Sequence, residues 1–207
     1  MKEDLQFDIV ATKAAAYVRA YKRSRAEFAS AALTSAAKTF TYGSKTGLDS
    51  TTADGLALFD KAHTGLTGVA TQSNVFTNAF GNDDAMLNRL ANIGMNFKNA
   101  TGHVMGYTFD TLIVPGNAYR LITLGKKIIN SDQQVGSSFN DVNVNKGIWK
   151  LVVDHHWQVA DGTEPYIIMS SQANKDLMGS MFYDRTPLEI EQDVDVRTQN
   201  LISSGRG

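Results

Sequence analysis

From Thr108 to Val114 the chain mixes β-branched and apolar residues, TFDTLIV, a composition that predicts a strand. Pro115-Gly116 then interrupts it, because proline removes a ladder donor and glycine permits unusual dihedrals. Ala118, Leu121, Ile122, Leu124, Ile128 and Ile129 follow at spacings that suit one side of a helix. Asn117 is placed to cap that helix, and Lys126 and Lys127 suit its far end. The remaining pattern is arranged around this strand and helix. Residues 9–37 predict a long alanine-rich helix with Val10, Ala14, Tyr17, Tyr21, Phe28 and Ala32 as its stripe. A second helix is predicted over 83–98, with Met86, Leu87, Leu90, Ile93 and Phe97 apolar, Asn82, Asp83 and Asp84 at its start, and Gly102 as its stop.

Ile148–Val153, with Trp149, Leu151, Val152 and Val153, predicts a largely buried strand. Asp161-Gly162 supplies a turn toward a further strand over Pro165–Met169. Asn174–Met178 suits a single helical turn, and Phe182–Ile190 an extended edge restricted by Pro187. Beyond it, residues 184–195 hold five acids and one arginine, and the final GRG offers no obvious end to a core element. Residues 38–84 are rich in Thr, Ser, Gly, Asn and Asp, with short possible strands at Lys38–Tyr42 and Leu56–Phe59. Such a long polar connection is unusual in a compact domain, so it reads either as a mobile loop or as a segment ordered by another chain.

The 207 residues suffice for one core or two small subdomains. A formal net charge of -1 gives no global basic field for nucleic acid. There is no cysteine, which removes thiol catalysis, cysteine metal sites and disulfides. The N-terminus lacks the apolar h-region of a secretory signal, and no apolar run is long enough to span a bilayer. These features lead us to expect a soluble protein made in, or assembled in, the cytoplasm.

Chemistry is scarce. His155 and His156 are adjacent, so in a strand they point to opposite faces, and neither they nor His63 and His103 match a zinc spacing. Gly43-Ser44-Lys45-Thr46-Gly47 lacks the spacing of a phosphate-binding loop, and Ser170-Ser171 lacks a hydrolase elbow. Asp83-Asp84, Asp193 and Asp195 provide carboxylates of the kind that acidic turns and faces produce routinely. No catalytic, cofactor-binding or metal-binding residue is assigned. Between Lys13 and Arg25 there are five basic residues and no acid, either a solvated helix face or a strip facing an acidic partner, a neighbouring subunit or nucleic acid. Trp149 is placed in the core, and Trp157 in the core or at a subunit contact.

Several segments carry a resemblance in their order along the chain. They are ADGLALFDKAHTG (53–65), patterned DG-x-x-LF-x-x-x-H, and the helix with its glycine turn, MLNRLANIGMNFKNATG (86–102). The LIVP strand and following helix, TFDTLIVPGNAYRLITLGKKIINS (108–131), come next, then Asn145–Trp157 with its aromatic finish. The late segment SSQANKDLMGSMFYDRTPLEIEQDVDVRTQN (170–200) completes the set. Together they resemble the major capsid (major head) proteins of tailed bacteriophages and prophages with the HK97-type fold, in the branch related to the Mu-like head subunit.

The resemblance implies an α+β, HK97-like capsid fold with residues 9–37 as a long spine helix. Residues 1–102 and 170–207 would form the peripheral (P) domain and 103–169 the axial (A) domain, with the chain truncated at one or both ends relative to the family. It implies a virion subunit that self-assembles in the bacterial host cytoplasm around double-stranded DNA, without catalysis. Partners would be copies of itself in hexamers and pentamers, portal and scaffold proteins, and packaged DNA touched without sequence preference, with no membrane involved. Arg19, Lys22, Arg23, Arg25 and Trp157 are the expected subunit or DNA contacts. The competing readings are a hydrolase with a nonstandard histidine and carboxylate site, and a phage accessory or scaffold-type binding module.

Overall fold

The structure, a computed structural model, describes residues 2–77, 80–81, 85–135, 141–177, 179, 183, 188–195 and 200–206. Its elements are α1 (Lys2–Thr34), β1 (Thr39–Tyr42), β2 (Lys45–Asp49), α2 (Ala85–Met95), β3 (Thr111–Pro115), α3 (Tyr119–Asn130), β4 (Lys150–Asp154), β5 (Ile167–Met169), α4 (Ser171–Asp176), β6 (Glu189–Asp195) and β7 (Asn200–Arg206). The mixture of helices and small sheets is an α+β arrangement. The chain divides into two compact units, Met1–Ala29 with Met181–Gly207 and Ser30–Ser180, and the division falls inside α1.

In the larger unit β3 is the middle strand of the order β4-β3-β5, parallel to β4 and antiparallel to β5. All five β3 residues are buried, which explains why TLIVP is continuously apolar after its threonine instead of alternating. Leu121, Leu124, Ile128 and Ile129 of α3 pack with Leu112, Val114, Leu87 and Trp149 in one core. Leu87, Leu112, Leu121 and Ile128 are fully buried, and each such side chain contributes about 1.5–3 kcal/mol by leaving water. The paired apolar spacings of the strand and helix therefore produce the packing the sequence suggests.

Two local details at the β3–α3 junction differ from expectation. Pro115 does not break the strand but closes it, in register with Asp154. Asn117 does not cap α3. The capping position is Ala118, which makes no side-chain cap bond. Asn117 is claimed instead by Val159: its amide donates to the Val159 carbonyl at 2.7 Å, and its carbonyl accepts from the Val159 N–H at 3.1 Å. That pair acts like a short strand ladder and fixes the segment after β4 against the turn.

Among the described residues, much of the polar tract forms hydrogen bonds within its own chain. β1 and β2 form a hairpin around Gly43, whose φ of 58° suits the turn. The sequence at 43–47 is thus a hairpin tip followed by a strand, without the helix a phosphate-binding loop requires. Leu56–Phe59 forms bends instead of a strand, although Ala57 is buried. Asn74 accepts from Asp60 N–H at 2.8 Å and donates to the Leu58 carbonyl at 2.7 Å. Gln72 donates to the Lys98 carbonyl at 2.9 Å and accepts from its N–H at 2.7 Å. These amide side chains substitute for backbone ladder partners, so a tract with little apolar content still orders.

Elsewhere the boundaries move. The second helix ends at Met95 rather than at 98, and its expected start and cap at 82–84 lie outside the described residues. The helical turn near Asn174 begins earlier, at Ser171, because Ser170 caps it by accepting from Ala173 N–H at 3.3 Å. In the smaller unit α1 begins at Lys2 instead of residue 9. Its expected stripe is not buried: Tyr17 is 46% exposed, and Ala14, Tyr21 and Phe28 are only half-buried. Val10's side chain and residues 184–187, including Pro187, lie outside what is described. The acidic segment is a strand: β6 pairs antiparallel with β7, from Glu189 opposite Arg206 to Asp195 opposite Asn200.

Candidate assembly surfaces

The first site is built around Asp54, in the segment ADGLALFDKAHTG. Its carboxylate accepts from the Thr52 hydroxyl, from Leu56 N–H at 3.2 Å, from His63 Nδ1 at 2.9 Å and from Thr64 N–H at 3.2 Å. The Thr52 hydroxyl and the His63 imidazole together hold this carboxyl well below the usual carboxylate range, with burial opposing them and the two backbone donors adding to them. His63 itself is fixed by a backbone pair with Gln72, N–H to carbonyl at 2.9 Å in both directions. Its Nε2 is buried without a hydrogen-bond partner. An imidazole whose second nitrogen is sealed has no route to a substrate proton, so this pair braces a loop and does not present a base.

Because the folded state holds Asp54 ionised, its contribution is complete above the ordinary carboxylate value of about 4 and is lost as pH falls below it. Hydrogen exchange at Leu56 and Thr64, corrected for intrinsic rates, is expected to accelerate by up to about tenfold per pH unit below that point. The Asp54→Asn variant should remove most of this dependence. Exchange that stays flat from pH 5 to pH 2.5 in the unaltered chain would refute the bracing role.

The other histidines do not join His63 in such a network. His155 and His156 sit in the turn after β4 instead of on opposite faces of a strand, and His103 is exposed beside the turn organised by Asn99. Among the described residues no group of three His, Asp or Glu side chains is placed to hold a metal ion. Ser171 donates to Asp110, whose carboxyl is pushed up by burial but brought down overall by the hydroxyl and N–H of Ser171 and the Thr111 hydroxyl. That cluster ties α4 to β3.

The expected contact residues are distributed as follows. Arg23 pairs with Glu27 at 2.7 Å along α1, and Arg25 lies over the Tyr21 ring at 5.6 Å. Arg19 and Lys22 are exposed on the same helix. Trp157 is half-buried in the wall of a cavity of about 420 Å³ that Phe59, Phe76, Pro165 and Tyr166 also line. All four basic residues lie in the smaller unit and Trp157 in the larger one.

A further surface was not anticipated. After α3, Asn143 and Asn145 turn inward while Val142, Val144 and Ile148 face out, 78%, 61% and 61% exposed. The cause is Asn143, which donates to the carbonyls of Ile128 at 2.6 Å and Ser131 at 2.9 Å and accepts from Asn145 N–H at 2.9 Å. By satisfying the C-terminal carbonyls of α3, it occupies the inside of the loop and leaves the valines outside. The signal available in the sequence is the alternation V-N-V-N, but its inside and outside are reversed from the ordinary reading.

A model of the family described as phage capsid protein matches the chain over residues 1–207. The chain belongs to that family. No curated protein and no solved structure matches it. For a capsid protein the role is structural and not enzymatic. The hydrolase reading drops out on that assignment. Membership also makes this capsid protein a virion component that associates with copies of itself. No described helix is long and apolar enough to cross a membrane.

Proposed function

We propose that the chain is the repeating tile of an icosahedral phage or prophage head with HK97-type architecture, in the Mu-like branch. It assembles around double-stranded DNA in the host cytoplasm. α1 is the spine helix, residues 1–102 and 170–207 the peripheral domain, and 103–169 the axial domain. In favour of that boundary, β3, α3, β4 and β5 all lie within 103–169. Phe80 and Leu87 join the same core, so the two parts share packing. Copies meet in hexamers and pentamers, portal and scaffold proteins attach to the shell, and DNA is contacted without sequence reading. Trp157 and the basic residues Arg19, Lys22, Arg23 and Arg25 are assigned to these contacts.

The observation that carries the reading is the outward Val142, Val144 and Ile148 on a loop whose inward side is fully engaged. Apolar groups held out in this way gain free energy only when another surface covers them. Repetition over a closed shell makes even modest contacts sufficient. The purified chain should form rings, sheets or particles visible by sedimentation and electron microscopy. Val142→Asp with Val144→Asp should raise the concentration needed for assembly by roughly tenfold or more while leaving the circular dichroism of the monomer unchanged. Assembly indistinguishable from that of the unaltered chain would remove this loop from the contact.

A further inference from the structure

The smaller compact unit contains two segments of opposite charge and nearly equal length. From residue 9 to residue 26 α1 has no acid, and Lys13, Arg19, Lys22, Arg23 and Arg25 give it five positive charges. Arg19, Lys22 and Arg23 stand at i, i+3 and i+4, so they share one helix face. At 1.5 Å per residue the basic run from Lys13 to Arg25 spans about 18 Å. β6, EIEQDVD, has four acids and no base in seven residues. Its acids stand at alternate positions 189, 191, 193 and 195 along about 20 Å of strand. Across the hairpin Glu189 stands opposite Arg206, but Glu191 is opposite Ser204, Asp193 opposite Ile202 and Asp195 opposite Asn200.

Glu189 and Glu191 are exposed, as are Arg19 and Lys22, and none of the four makes an ion pair among the described residues. We infer that the basic face of α1 in one copy docks on the acidic strand β6 of a second copy, at Glu189 and Glu191. The inference rests on the shell reading above and deepens it by naming the partner of the basic strip. Opposite sign, matched length and unpaired groups on both sides favour this occupant over nucleic acid. Where the helix of one copy meets the strand of the next without the reverse contact between the same two copies, the contact is heterologous, the kind that builds rings instead of closed pairs. Each exposed charge pair is weak, so the contact acts through number and through steering of encounter, and it weakens with salt.

The test uses the full chain and two reversal variants, Arg19→Glu with Lys22→Glu, and Glu189→Lys with Glu191→Lys. Each variant alone should require a roughly tenfold or higher concentration to assemble, read by sedimentation and microscopy, because attraction becomes repulsion at the contact. An equimolar mixture of the two should assemble near the level of the unaltered chain, since each copy then meets an opposite charge on its neighbour. The chain carrying all four substitutions should do the same. Rescue by the fourfold chain but not by the mixture would place the pairing within one copy and overturn the inference. So would a defect confined to the helix variant and accompanied by loss of DNA retention, or normal assembly of both variants. If the unaltered chain remains monomeric at every concentration, the shell reading fails and this contact fails with it. Failure of the variants to behave as stated while the unaltered chain assembles overturns this contact alone.

Discussion

Gly116→Ala is expected to destabilise the larger unit by about 3 kcal/mol or more, the range of severe overpacking. A Cβ at this position would lie 2.7 Å from His155 Cα and 3.0 Å from the Asp154 carbonyl oxygen. Both are backbone atoms at the end of β4, and that backbone is tied in three places. Asp154 is in register with Pro115, Gly116 N–H donates to the Trp157 carbonyl at 3.1 Å, and Asn117 clamps Val159. Relief would therefore require parting β3 from β4 at their ends. Thermal unfolding should show a midpoint lower by roughly 6–12 °C for a chain of this size. Gly125→Ala is the internal control. Its Cβ would meet Leu151 Cδ1 at 3.1 Å, the tip of a side chain that can turn aside, and the cost should stay below about 1.5 kcal/mol. Equal midpoints for the two variants would show that the close approach at Gly116 is not a constraint.

Asn143→Leu should be comparably damaging, at about 3–5 kcal/mol, for a different reason. The side chain is 4% exposed, and the substitution keeps its approximate volume while deleting every polar contact. The Ile128 and Ser131 carbonyls and the Asn145 N–H would each lose a partner. A buried group left unpaired costs about 1–3 kcal/mol, and losses that share one loop need not add fully. Asn143→Asp is the informative companion, because it retains the acceptor for Asn145 but sets a carboxylate against two carbonyls. Denaturant unfolding should rank both variants well below the unaltered chain. A leucine variant of normal stability would mean that water reaches these groups and that the outward valines are not held by Asn143.

Much of the larger core was legible in the sequence, because β3 and α3 obey simple periodicities that burial then enforces. Leu121, Leu124, Ile128 and Ile129 are buried, and so is Trp149. The misses share a cause: each depends on a pairing partner that local composition does not reveal. Asn117 looks like a helix cap until Val159, 42 residues later, competes for its amide. KTGLD and NLISSGR have weak strand character and become β2 and β7 through pairing with their hairpin neighbours. Asn74 and Gln72 read as loop residues because composition does not reveal that their amides replace a ladder. The basic strip was visible in the sequence, but its sign says nothing about which surface answers it. The outward valines were hidden by the opposite rule, since polar residues are normally assigned to the outside.

The braces at Asp54, Gln72 and Asn74 have a consequence for how a shell is made. In the shell proposed above, a segment already held by its own hydrogen bonds would leave little chain entropy to be lost on joining a neighbour. Bonds between tiles can then be individually feeble and still suffice, and a misplaced tile can let go and try again without unravelling.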